Sequence, residues 1–294
     1  MNNRCNRING LNVDRIWISK PTDVMNKVYD FFSNKFKEPF QNRPSFRSNK
    51  FKTLSADDCL QLEAPFSAEE IKGAVWNCGN EKAPGPDGYN FYFIKRFWDV
   101  IGPDIIEVVQ FFVEHNHINP GSNNSFITLV PKKKDPLNLS EYRPINLIGC
   151  ITKIISKTLA ERLKPVMDSI IGKEQSAFII GRNIMEGPLI INEVISWSKR
   201  SKNQVLLFKA DFEKGFDSLN WKYIDDVMMQ MGFSQTWRSW ILAIISAAKV
   251  SVLVNGAPTK EFKMERGIRQ GDPLSPFIFN IAAEVLRIAL EEAQ

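Results

Sequence analysis

The run Val205-Leu206-Leu207-Phe208, closed by Lys209-Ala210-Asp211, most narrows what this chain can fold into. It is short, apolar and partly β-branched and aromatic, which predicts a buried strand over 205–210. Such a strand would deliver Asp211 to the rim of a sheet, with the aromatic Phe216 five residues further on. Asp oxygens suit a hard cation such as Mg²⁺, and two metals ~3.5–4 Å apart clamp the attacking and leaving oxygens of a phosphoryl displacement. Taken alone, Asp211 reads equally as a loop residue capping a helix that starts near Ser218, because Asp favours caps and turns.

A second block, Arg266 to Leu286, sets two glycines and two prolines before a long apolar helix. Gly267 and Gly271 allow close approach of backbone, Arg266 and Arg269 offer guanidinium forks to phosphate, and Gln270 offers an amide to a base, sugar or phosphate. The same residues also read as a helix start, with Asp272 as cap and Pro273 at the first helical position. Both readings can hold together.

Three further blocks, at 54–88 (ending in APGPDG), 125–148 (with PKKKD and EYRPINLI) and 174–184 (EQSAFIIGRNI), stand in order before these two. Together the five blocks resemble the reverse transcriptase of non-LTR (LINE-type) retrotransposons, most closely those of plants. The resemblance covers nearly the whole chain. It implies an α+β class fold, a right-hand polymerase-like set of fingers with a partial palm. It also implies an RNA template, a DNA primer, deoxynucleoside triphosphates and a two-metal Mg²⁺ site. In that family's terms Asp211 matches the first catalytic carboxylate, which with the carbonyl of Phe212 holds the metals. Phe216 matches the aromatic that collides with a ribose 2′-hydroxyl, which argues against an RNA-making polymerase. Arg143 and Lys132 match fingers residues at the incoming triphosphate. Gln270 and Gly271 match the pair beside nucleotide and template. Gly85, Asp87, Arg182, Arg266 and Arg269 fall in segments that face template or primer, and Asp217 matches a second acid that is usually structural.

Two departures bear on activity. Gly215 stands where such enzymes commonly have Ala. More seriously, the hairpin carrying Ala-Asp-Asp is absent downstream of Leu286, and the pair Asp225-Asp226 is misplaced in order and lies in an amphipathic helical pattern. Phe277, Ile281, Val285 and Ala289 keep helical spacing to the end without a Gly or Asn stop, so the chain is expected to end inside a palm. A chain with Asp211 but no later carboxylate pair should be inactive alone. The alternative is a non-enzymatic RNA-binding relic of a retrotransposon.

Composition agrees with a folded, nucleic-acid-facing protein. With 44% hydrophobic and 24% charged residues the chain is globular rather than disordered. Its charge of +5 is unevenly spread: residues 1–54 carry 11 Lys and Arg against 4 Asp and Glu, 55–120 carry 4 against 11, and 121–175 carry 9 against 5. Cys5, Cys59, Cys78 and Cys150 are scattered and only two histidines exist, a pattern that favours neither a disulfide framework nor a zinc site. The polar start lacks the apolar core of a secretory leader, so an intracellular location, nuclear or cytoplasmic, is expected.

Organisation follows from punctuation. Residues 1–52 read as a basic connector with one helix (22–36) and a linker (37–52), 53–204 as fingers and template-binding region, and 205–294 as a partial palm. Ser67 with Glu70 has capping-box spacing and predicts a helix through Trp76. Two prolines and two glycines make 83–88 a turn, which serves equally as a plain connector. Further helices are predicted over 102–114, 148–167, 185–198, 221–231, 235–247 and 273–292, with strands at 126–130, 249–254 and 260–265.

Overall fold

In the computed structural model the structure describes residues 7–40, 42–119, 121–212, 214–246 and 249–293. The chain opens with a hairpin, β1 (Leu11–Val13) and β2 (Ile16–Ile18), turned by Asp14 and Arg15 at positive φ. Helix α1 (Pro21–Phe36) follows, with Pro21 in its first turn and Val24, Val28, Phe32 and Phe36 on one buried stripe. Residues 37–40 and 42–52, expected to be a linker, carry no regular element, but several of their polar groups are tied down. The Gln230 side chain accepts from Ser48 N and donates to Phe46 O, and Phe51 is buried.

The helical half begins with α2 (Ala56–Glu63) and α3 (Ala68–Trp76). Ser67 Oγ accepts from Glu70 N as the sequence predicts, but the Glu70 carboxylate turns away to Arg162. A reciprocal capping box forms instead at the start of α2, between Ser55 and Asp58. Helices α4 (Phe91–Arg96) and α5 (Trp98–His115) come next, then β3 (Ser125–Pro131) and β4 (Tyr142–Ile148), which pair antiparallel. Helix α6 (Cys150–Ile170) is the central beam, with twelve buried residues. Arg162 on it donates to Glu70 and to the carbonyls of Leu62, Ala64 and Pro65 and stacks over Phe66, fastening α2 and α3 to the beam.

Helix α7 (Glu186–Ser201) has no buried residue. The predicted strand over 205–210 does not form, and Leu206 and Phe208 are 93% and 88% exposed. The sheet forms without this run. Its order is β4-β3-β5-β6, with β5 (Lys249–Val254) parallel to β3 and bordered on its other side by β6 (Ala257–Pro258) and β7 (Phe262–Lys263). Both interior strands are flanked, while β4 carries Pro144, which has no N–H, and gives its Asn146 amide to Gln270 O. The run at 205–208 joins none of these strands, although β4, β6 and β7 each pair on one side only. Between these elements lie α8 (Gly215–Ser218), α9 (Trp221–Gln230) and α10 (Gln235–Ser246), and α11 (Ser275–Glu292) follows the sheet.

Two apolar cores result. One joins α1 and the first hairpin to the sheet through residues such as Phe32, Phe36, Ile127, Val252 and Phe262. The other gathers α3, α5, α6, α9, α10 and α11. The N-terminal connector is therefore part of the sheet's packing rather than a tether. The arrangement is the expected mixture of helices and sheet. Among the described residues no helix is long and apolar enough to cross a membrane.

Candidate active site

The two blocks singled out first in the sequence meet face to face. Ile268 N donates to Phe216 O (2.8 Å), Gly267 N to Leu219 O (2.7 Å) and Trp221 Nε1 to Gly267 O (2.8 Å). Gly267 sits at φ +86°, and a Cβ there would stand 2.7 Å from Asp217 O, so both the left-handed backbone and the close approach call for glycine. Gly271, at φ +108°, lies against Asn146 O of β4, which brings the strand of Arg143 to the same place.

Asp217 is the hub. Its carboxylate takes Lys35 Nζ of α1 at 2.8 Å and Gln270 Nε2 at 3.1 Å, with both charged side chains largely withdrawn from solvent. Lys35 gave no signal in the sequence, because one lysine in the last turn of a helix is ordinarily a dipole-complementing surface charge. Phe216 stacks on Phe279 of α11 with ring centroids 4.7 Å apart and planes 12° from parallel. A Cβ on Gly215 would come within 3.0 Å of the Phe279 ring, which would have to give by a few tenths of an ångström to admit the alanine common in such enzymes.

Asp211 stands apart from this cluster in an exposed, irregular segment, and Phe212, 61% exposed, gives its carbonyl to Gly215 N at 3.3 Å. Among the described residues no group of three or more His, Cys, Asp or Glu is placed to hold a metal ion. The donor set does not fit a two-metal centre: Asp211 offers one carboxylate and Asp217 is already committed to Lys35 and Gln270.

Several residues expected at nucleic acid are engaged with the protein itself. Arg269 is the clear correction. It is 2% exposed, and its Nη2 donates to Asn123 Oδ1 and to Ile244 O, so it braces the loop from inside. Burial lowers its guanidinium to about 10, and the neighbouring Asp272 carboxylate opposes that shift. Asp272 is buried too and accepts from Leu274 N (2.9 Å) and Ser156 Oγ (3.0 Å); burial holds its pKa above the ordinary carboxylate range. It thus serves the start of α11, although the helix begins at Ser275 rather than Pro273. Arg266 donates to Lys35 O, and Arg182 donates to Asp168 and to the carbonyls of Gly172, Gln175 and Ile171. Gly85 packs so tightly on Ile148 and Gly149 that a Cβ would strike their main chain, and Asp87 Oδ2 accepts from Cys150 N at the start of α6 (2.5 Å). Burial, with Asp87 alongside, pushes the Cys150 thiol up to about 12.

Arg143 is exposed on β4, on the face it shares with Ile145 and Leu147. These two line a cavity of about 440 Å³ together with Gly271, Lys82, Lys153 and Lys157, and no acid is among its lining residues. The three lysines were not singled out from the sequence; they are 71 or more positions apart from Lys82 to the α6 pair and only the fold gathers them.

Lys132 donates to Ser140 O at 2.9 Å, and Lys133 pairs with Glu141 at 2.8 Å. The Lys133 ammonium, then the amides of Leu137 and Asn138, hold the Glu141 carboxyl down at about 2. Because this value lies below the ordinary 4.5, the contribution of the carboxylate to the hairpin is present above pH 4.5 and is lost as pH falls through 2. A carbon-detected NMR titration should show the Glu141 carboxyl titrating near 2, with the Leu137 and Asn138 amide shifts moving in step. A midpoint at 4.5 would mean that the hairpin tip is open in solution.

Residues 130–293 match the family described as reverse transcriptase (RNA-dependent DNA polymerase). The chain is 28% identical over 224 residues to the transposon TX1 uncharacterized 149 kDa protein of Xenopus laevis, covering 76% of this chain and 17% of that protein. It is 27% identical over 230 residues to the Pol polyprotein of retrotransposable element R2 from Popillia japonica, covering 77% and 31%. The chain thus spans less than a third of the length of either relative. A partial Cas6-RT-Cas1–Cas2 complex is similar at TM-score 0.44 and 16% identity, over 87% of this chain and 39% of that one. With more than half of its residues in the family match and relatives among retrotransposon Pol proteins, this chain belongs to the reverse transcriptase family.

Proposed function

We propose that this chain supplies the fingers (53–204) and part of the palm (205–294) of an RNA-directed DNA polymerase of the plant LINE type. Its partners would be an RNA template, a DNA primer and a deoxynucleoside triphosphate, in the nucleus or cytoplasm. The observation that carries the reading is the junction of 216–219 with 266–271, which sets Phe216, Gln270 and Gly271 beside the strand of Arg143. The acid-free, lysine-lined cavity against Gly271 supports a polyanionic strand on that face, since nucleic-acid affinity is dominated by phosphate neutralisation. Gly85 and Asp87 then act indirectly, by seating the 83–88 turn on the β4–α6 junction.

Asp211 alone does not complete a Mg²⁺ site, and electrostatic stabilisation of a transferring phosphoryl group by such ions would need further ligands. The chain's own part is to orient. Phe216, fixed by its stack on Phe279, presents a bulky edge that disfavours a ribose 2′-hydroxyl, and Gln270 is aimed by Asp217. Phosphoryl transfer depends on positioning and electrostatics, so Asp211 without a second carboxylate pair leaves this chain inactive alone.

The test is primer extension on an RNA template with Mg²⁺, using this chain, a lengthened chain bearing a family Ala-Asp-Asp hairpin and thumb, and its Asp211→Ala variant. Extension by the lengthened chain alone, lost in the variant and selective for deoxynucleotides, is the expected result. Activity of the bare chain would overturn the metal-site argument. Activity in none, with salt-sensitive RNA binding retained, would favour the second reading, a non-enzymatic RNA-binding relic.

A further inference from the structure

Helix α5 has two apolar faces, and only one is used. Trp98, Ile105, Val109 and Phe112 enter the core. On the other side Phe97, Val100, Val108 and Phe111 are 46%, 73%, 38% and 43% exposed. At 100° per residue these four fall within a narrow arc, so they form one stripe along the helix. A helix that caps a core ordinarily turns polar residues to water, and scattered single hydrophobics need no comment; an aligned set of four does.

Two further observations specify what fits the stripe. The first is charge. The exposed acid Asp104 lies within the arc, Glu107 and Glu114 flank it on one side, and α5 contains no Lys or Arg. Asp104 and Glu107 have no basic partner among the described residues. A nucleic-acid backbone would be repelled here, while a cationic partner would be drawn in. The second is relief. A cavity of about 230 Å³ opens beside Val108 and Phe111, walled by Ile118, Ile151 and Ile155 with Glu107 at its border. That is room for one buried apolar side chain, the kind of anchor around which an interface is organised.

We propose that the outer face of α5 docks a basic amphipathic helix of a protein partner, which inserts an apolar anchor between Val108 and Phe111 and sets Lys or Arg against Asp104, Glu107 and Glu114. The surface borders α6, whose Ile151 and Ile155 wall the cavity, and it is independent of the polymerase reading. The acidic balance of residues 55–120 in this chain, at odds with nucleic-acid binding by charge, thereby acquires a use.

The test is binding of a labelled leucine–lysine peptide, patterned as an amphipathic helix and 18 residues long like α5, followed by fluorescence anisotropy and hydrogen exchange. Binding should protect residues 97–118 from exchange. Val108→Ala with Phe111→Ala should weaken it at least about tenfold. Asp104→Asn, Glu107→Gln and Glu114→Gln together should also weaken it and flatten its salt dependence. All five positions are surface-exposed or border the cavity, so circular dichroism of these variants should match the parent. Leu189→Ala with Trp197→Ala, on the exposed face of α7, is the control and should leave affinity unchanged. Equal binding of a leucine–glutamate peptide, equal loss in the α7 control, protection elsewhere, or displacement of the peptide from α5 by single-stranded RNA would each overturn the proposal.

Discussion

Replacing Asp272 with alanine should cost the fold about 3–5 kcal/mol, among the largest effects available to a single change in this chain. Three losses combine. The amide of Leu274 and the hydroxyl of Ser156 lose a charged acceptor at 2.9 and 3.0 Å, and bonds to charged groups are each worth roughly 1.5–3 kcal/mol. The buried Arg269 also loses the negative charge that offsets it, while its Nε and Nη1 already lack partners. Arg269→Met should be costly for the converse reason. The double variant should recover part of the sum, because removing both charges leaves an apolar interior and no orphaned ion. Urea unfolding of the four proteins checks this through the shift in midpoint at constant slope. Strict additivity would mean that Arg269 and Asp272 do not act as a unit.

The second large effect is expected at Asp217. Asp217→Ala should destabilise by roughly 2–4 kcal/mol, since it strips a withdrawn Lys35 ammonium of its partner and frees the Gln270 amide. Asp217→Asn separates the two parts. The neutral amide still accepts from Gln270 while the charge facing Lys35 is gone, so the Asn loss reports the ion pair and the further loss in Ala reports the Gln270 contact. Lys35→Met in the Asp217→Ala background should restore stability, because it removes the stranded cation. If each single change cost less than about 0.5 kcal/mol, the pair would be solvated and the hub would not hold the two blocks together. In a lengthened, active enzyme the same series would separate support of Gln270 from contact with substrate. Asp217→Asn should preserve activity better than Asp217→Ala at matched folded concentration.

Much of the secondary structure was legible because its causes are local. The Ser67 cap and the apolar spacing that predicts a helix over 22–36 each specify an element within a few residues. The meeting of 216–219 with 266–271 was legible only through resemblance, since neither block says what it packs on. Three kinds of residue escaped. Arginine reads as a phosphate ligand from sequence, yet Arg269 and Arg182 lie where the chain needed multi-donor braces between carbonyls, a need set by tertiary packing. The run at 205–208 has the right composition for a strand, but strand formation also requires pairing and packing partners elsewhere in the fold, which no periodicity can report. The cavity lysines come from a turn and a helix far apart in sequence, so their common face is a property of the fold.

The unburied excursion from α7 through Phe212 has a consequence for how the molecule tolerates change. Residues before it, on α6, and residues after it, on α9 and α11, share a single interior, so the two sides are held by packing and not by the peptide that joins them. That peptide is a tether, and the entropy of closing a tether rises by only about 0.6 kcal/mol for each doubling of its length. Evolution could therefore splice additional chain into this stretch, even a whole module, at almost no thermodynamic expense, whereas a single methyl group added at Gly85 would collide with the backbone of its neighbours.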